Sequence, residues 1–249
     1  MRDTPRRRGS TVVVMLFSTA LVLAAGSAAA RPAARHAASV RHLAPGDTGA
    51  QAPWRAKVLA FAEAHLQHTA WGPAHGRRDY ETTLTLAKAE GLTVDDDALY
   101  AAAYLHDMGG IPPYAVPGVD HGDRSIQLVD SILRDAGFPM EKSALVKEII
   151  DHHQYYRPPD TLRVAVLFRD ADILDFMGAI DVARILSLTT REKFTPDLAH
   201  AVAAIKQQMT EMPKLLQSDA AKREGQKRAL EMQQYLNALS AESDSLTVL

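Results

Sequence analysis

From Pro53 onward, apolar residues recur at intervals of three and four, the period at which a helix turns one face toward a core. In "PWRAKVLAFAEAHLQHT" (53–69) a proline stands near the first helical position, and Val58, Phe61, Ala62 and Leu66 share a face. "RRDYETTLTLAKAEG" (77–91) ends on Gly91. "VDDDALYAAAYLHDMGG" (94–110) opens on acids and closes on glycines, as helix polarity favours. The Pro- and Gly-rich "GIPPYAVPGVD" (110–120) interrupts the pattern as a loop. Helical spacing resumes over 121–137 and 139–156, is broken by "RPPD", and returns over 161–188 and 195–212. A last amphipathic stretch, 219–240, aligns Ala229, Met232, Leu236 and Leu239, and is expected to dock on its own domain. Only "VAVLF" (164–168) would also suit a strand. The pattern predicts an all-α fold: one domain of about nine helices over 53–240, followed by a tail, 241–249.

The first thirty residues are patterned differently. Arg2, Arg6, Arg7 and Arg8 precede the apolar run "TVVVMLFSTALVLAAG", and "SAAA" supplies small residues for cleavage near Ala30. Residues 1–30 therefore read as a signal peptide, with an uncleaved anchor as the alternative, and the arginines only loosely resemble a twin-arginine signal. The protein is expected to be exported, periplasmic or secreted. Residues 31–52 lack periodicity and read as a flexible linker. Cleavage would remove four arginines and one aspartate, leaving 24 basic against 29 acidic residues. That balance argues against nucleic acid as a partner, because a phosphate backbone needs a basic face. There is no cysteine, so an exported chain must rely on its core or on a metal rather than on disulfides. No later stretch is long and apolar enough to span a bilayer, so no membrane contact beyond the export signal is expected.

The chemistry concentrates where polar residues interrupt buried-looking helices. His106 and Asp107 end a helix built on Ala101, Ala102, Ala103 and Leu105. An unpaired carboxylate there would cost several kcal/mol. Two explanations are open: Asp107 pairs with an arginine while His106 bonds a carbonyl, or both are drawn onto a divalent cation. The pair has company. His75 stands just before a helix with Asp79 in its first turn, and His121 lies at a helix start. His152 and His153 lie near a helix end, while "FRDADILDFMGA" carries Asp170, Asp172 and Asp175. Each has an ordinary reading as a capped, paired or solvated group, and the acids could bridge to Arg163 or Arg169. Together they favour a metal.

The ordered set of a first His or Asp, then "LHDMG", then "DADILDFMGAI" resembles the HD-domain superfamily of metal-dependent phosphohydrolases, over roughly residues 55–190. The resemblance implies an all-α fold with one His, the His-Asp pair and a distant Asp around a metal, some members holding a second metal with further histidines. Carried onto this chain, it implies His75, His106, Asp107 and Asp172 as metal ligands, with Asp79, His121, His152 and His153 as additional candidates. The family run "HDxxHxxRV" is matched here by "HGRRDYETT", read with His75 at the first position and Asp79 at the ligand position; His75 is preferred as the ligand. No "GYP" follows "HHQYYRPPD", which argues against the cyclic-dinucleotide branch.

Mixed imidazole and carboxylate donors suit one or two ions of Mn, Fe, Co, Ni, Zn or Mg. Asp107, His121 and His152 are expected to act in catalysis, by orienting water or donating a proton. Arg124 and Arg157, with Arg77 and Arg78, are placed to contact a phosphate. The expected function is hydrolysis of a small phosphate-containing molecule, a phosphomonoester or nucleotide. The alternatives are a di-iron oxygenase on the same fold, or a binding module without catalysis. Oligomeric state is not legible.

Overall fold

The computed structural model describes residues 52–158, 161–247 and 249. The expected signal peptide over 1–30, and the linker up to residue 51, lie outside the described residues. Among these residues there are nine α-helices and no strand. Proline at the first helical position opens α1 (Pro53–His65) and α2 (Pro73–Ala89). Side-chain caps open four more helices. The Asp95 carboxylate accepts the Ala98 amide to start α3 (Asp96–Leu105), and Asp120 accepts the Gly122 and Asp123 amides to start α4 (His121–Ala136). α5 (Ser143–His152), α6 (Arg163–Asp175) and α7 (Gly178–Ser187) follow. Asp197 caps α8 (Leu198–Glu211) and Ser218 caps α9 (Asp219–Glu242).

Two boundaries differ from the sequence pattern. α2 begins at Pro73, four residues before the periodic run, so His75 lies within the helix and not ahead of it. The stretch 161–188 is two helices: Met177 is extended (φ -142°, ψ 155°) and Gly178 takes φ +81°, a left-handed conformation that glycine adopts without steric cost. "VAVLF" is helical, and its apolarity reflects burial on every side.

Two apolar clusters meet along α6. One gathers Trp54, Leu99, Leu105, Leu133 and Ile149 from α1, α3, α4 and α5, together with Phe168. The other gathers Ile185, Ile205, Met232 and Leu236 from α7, α8 and α9, together with Leu167, Ala171 and Leu174. Every residue from Val164 to Asp175 is buried. α6 thus carries four ionisable groups, Arg169, Asp170, Asp172 and Asp175, through the middle of the domain, where each needs a partner. Asp170 finds its partners at the start of α9, accepting from the Gln217 and Ser218 amides and the Ser218 hydroxyl at 2.8, 2.8 and 2.6 Å. The final helix therefore docks on its own domain. No helix among the described residues is long and apolar enough to cross a membrane.

Candidate metal centre

α2 presents His75 and Asp79, one helical turn apart, on its buried face. The helix comes unusually near α3 because Gly76 sits over the Ala103 carbonyl, where a Cβ would lie 2.4 Å from that oxygen. This approach sets His75 beside His106, the residue that ends α3, with ring centroids 5.1 Å apart. α6 brings Asp172 from the other side. Around His75 Nε2 stand Asp79 Oδ2 at 3.2 Å, Asp107 Oδ2 at 3.4 Å and Asp172 Oδ1 at 3.4 Å. His106 Nε2 lies 3.3 Å from Asp107 Oδ2 and 3.9 Å from Asp79 Oδ2. Donor atoms of His75, Asp79, His106 and Asp172 all fall within 4.8 Å of one another. Donors sharing one ion at ~2.1 Å would be spaced by roughly 3–4 Å, so the spacing fits a single cation.

Hydrogen bonds on the far side of each ring fix which nitrogen faces inward. His106 Nδ1 donates to the Ala103 carbonyl at 3.0 Å and His153 Nδ1 donates to the Ile150 carbonyl at 2.5 Å. His75 Nδ1 donates to Asp175 Oδ2 at 2.7 Å. Asp175 is itself gripped by Arg78, through Nε at 2.7 Å and Nη2 at 2.8 Å, and by Arg184 Nη1 at 2.6 Å. Although burial opposes its charge, the two arginines and His75 hold the Asp175 carboxyl well below the usual range. A carbonyl or ionised carboxylate can only accept, so each Nδ1 carries a proton and each ring turns its Nε2 to the cluster, offering a lone pair when the ring is neutral. His75 Nε2, His106 Nε2 and both oxygens of Asp79 are buried with no hydrogen-bond partner. Buried lone pairs facing one another demand a cation or protons between them. Consistent with that demand, burial and the neighbouring acids Asp175 and Asp172 push Asp79 up to about 7 against the opposing pull of His75. Burial disfavours a charged His106, yet the adjacent Asp107 raises it to about 9. These residues fit a metal ion.

Toward the surface, Asp107 turns its other oxygen outward. Asp107 Oδ1 lies 3.5 Å from His121 Nε2 and 3.8 Å from His153 Nε2, and these two nitrogens are 3.1 Å apart. His106, Asp107 and His153 form a second group with metal-ligand spacing. Burial, with His106 and His121 nearby, lowers His153 to about 3, so it stays neutral. His121 is partly exposed, and the Tyr156 hydroxyl lies 3.4 Å from its Nδ1 while donating to Asp120 at 2.5 Å.

Most of the sequence-derived candidates converge here: His75, Asp79, His106, Asp107, His121, His153 and Asp172. His152 does not; as the last residue of α5 it faces Asp151, 3.7 Å away, and the turn after it swings His153 inward instead. The arginines also differ from the expectation of a phosphate clamp. Arg157 is engaged by Asp120, Asp123 and Asp151 at 3.2, 2.7 and 2.6 Å. Arg124 donates to the Tyr114 carbonyl and to Gln127, Arg77 pairs with Glu81, and Arg78 serves Asp175. The role of Asp175 behind His75, and that of Arg184 behind Asp175, were missed; the only trace in the sequence is an Asp three residues after Asp172 on the same helix. Both His75, at the first position of the matching run, and Asp79, at its ligand position, reach the cluster.

Comparison with known proteins agrees with this geometry. Residues 75–177 match the HD domain family. Similar solved structures include a Bacillus subtilis protein, YpgQ, in complex with ADP (TM-score 0.58, 20% identity, covering 76% of this chain and 97% of that one). A predicted HD superfamily hydrolase from an uncultured Thermotogales bacterium aligns with TM-score 0.53 and 23% identity, over 76% of this chain and 90% of that one. An HD-superfamily hydrolase from Bacillus thuringiensis aligns with TM-score 0.55 and 21% identity, over 77% and 97%. No curated protein matches. The matched stretch, residues 75–177, contains His75, His106, Asp107 and Asp172, so this part of the chain is similar to the HD domain family over all four of these site residues.

Proposed function

We propose that the protein is an exported, metal-dependent hydrolase that cleaves a phosphomonoester or nucleotide. The observation that carries this reading is the set of buried, unpartnered donor atoms of His75 and His106, closed by Asp107 and Asp172 and open to the surface on the Asp107 side. A divalent cation held by these four residues would supply Lewis-acid polarisation of a phosphoryl oxygen and lower the pKa of a bound water. The protein residues supply the rest. Asp107 has one oxygen among the buried donors and the other toward His121, so it is placed to orient a nucleophile at the boundary between them. His121, half-open to solvent and beside the Tyr156 hydroxyl, is placed to hold a proton for the leaving group. His153, buried beneath His121, would take a second ion with His106 and Asp107. The ADP bound by YpgQ supports a nucleotide as the ligand class. Export rests on the first thirty residues, and a scavenged extracellular nucleotide or phosphoester suits it.

The test is a panel of nucleotides and phosphomonoesters assayed for phosphate release with Mn, Co, Ni, Zn, Mg and Fe, alongside Asp172→Ala. Metal-dependent release that Asp172→Ala abolishes supports the reading. Tight metal binding with no release from any substrate would point instead to a binding module. Oxygen consumption by an iron-loaded protein that releases no phosphate would point to an oxygenase.

A further inference from the structure

Asp79 is the least explained group in the cluster. It is fully buried on α2, and neither carboxylate oxygen has a hydrogen-bond partner; Thr83 Oγ1 bonds the Asp79 carbonyl, not its side chain. The nearby Arg78 spends its hydrogen bonds on Asp175 and gives none to Asp79. His75 Nε2 lies 3.2 Å and His106 Nε2 3.9 Å from Asp79 Oδ2. Oxygen and nitrogen lone pairs at this spacing repel unless a positive centre lies among them. One of the Asp79 oxygens also lies within 4.8 Å of a carboxylate oxygen of Asp172.

We propose that Asp79 is a fifth protein ligand of the buried ion, and that it biases the site toward an oxygen-preferring, six-coordinate cation such as Mn(II) or Fe(II) and away from Zn(II). This inference rests on the metal-centre reading above. Two imidazoles with two carboxylates would complete a tetrahedron, the geometry zinc favours. A third carboxylate makes five protein donors, three of them oxygen, and leaves a six-coordinate ion one position for water or substrate. The i, i+4 spacing from His75 delivers Asp79 to the closed end of the cluster, opposite the outward-facing oxygen of Asp107, so the remaining position would face the mouth.

The experiment measures dissociation constants of Mn(II) and Zn(II) by chelator competition for the wild type, Asp79→Asn and Asp79→Val. X-ray absorption on the Mn-loaded wild type counts its nitrogen and oxygen donors. Circular dichroism confirms that the variants fold, and the apolar Val needs no polar partner if Asn is poorly tolerated. The expected result is about a tenfold or greater loss of Mn(II) affinity, a smaller loss for Zn(II), and six light-atom donors in the wild type. Wild-type affinities for both ions in folded variants would overturn the assignment, as would a four-donor spectrum of the wild type, and Asp79 would then be a buried protonated acid. A wild type that binds neither ion removes the metal centre itself, a result distinct from failure of Asp79 alone.

Discussion

Asp175 and Asp170 sit on the same buried helix five residues apart, yet only the loss of Asp175 reaches the metal site. Asp175→Asn removes the charge that two arginines and His75 share, at contacts of 2.6 to 2.8 Å. Leaving Arg184, only 5% exposed, without its carboxylate is the costly part. Breaking one partner out of a buried ion pair costs about 3–5 kcal/mol, and the partial exposure of Arg78 places the expected loss at the lower end, about 3 kcal/mol. The amide also weakens the grip on the His75 Nδ1 proton, and so on the tautomer that points Nε2 inward; disturbing a partner of this kind lowers metal affinity by about 10–100-fold. Asp170→Asn replaces one accepting oxygen by an amide NH2, so one or two of the three bonds to the start of α9 are lost and the fold is destabilised by about 1–3 kcal/mol, but no donor of the cluster is touched. Urea unfolding and Mn(II) titration of both variants separate the two effects. Equal metal affinity for folded Asp175→Asn and Asp170→Asn would refute the claim that Asp175 positions His75.

Three further predictions follow from other parts of the structure. Asp181 on α7 is fully buried with no partner on either oxygen, and burial pushes it up to about 7 against the pull of Arg184. A folded value above the unfolded value of about 3.9 means the folded state binds more protons between about pH 4 and 7, so stability falls as pH rises through that window. Asp181→Asn should therefore match the wild type at pH 4 and exceed it by about 2–4 kcal/mol at pH 8 in chemical denaturation; a constant difference across pH would contradict this. Gly76→Ala should force α2 off α3, costing about 1–3 kcal/mol and weakening metal binding, and an unchanged melting temperature with unchanged metal affinity would show that the close approach is dispensable. His153→Ala should lower turnover far more than His152→Ala in the phosphate-release assay, and the reverse order would exclude the inward placement of His153.

The parts of the site that were legible in the sequence are those where a polar residue interrupts an apolar helix. His106, Asp107 and Asp172 stand out because their neighbours, Ala103, Leu105, Ala171 and Ile173, are entirely apolar. The choice between His152 and His153 was not legible, because α5 ends between them and helical periodicity says nothing about the first residue of a turn. The start of α2 was obscured because "PAHGRR" has no acid in its first turn and little amphipathy. The break at Gly178 was hidden because the apolar pattern runs through it, and only a backbone angle marks the change. The arginines misled for a different reason. Arg78 and Asp175 are 97 residues apart, and which carboxylate consumes a cation is decided by packing that no local pattern encodes.

The central claim is that a buried helix ends in His106 and Asp107 in order to hold a metal. The most direct measurement is elemental analysis of purified protein beside its His106→Ala and Asp172→Ala variants, each confirmed as folded. The wild type is expected to hold one or two transition-metal ions per chain, lost in both variants. A wild type as free of metal as the variants after incubation with Mn, Co, Fe or Zn would contradict it, and the cluster would then be a proton-sharing polar network.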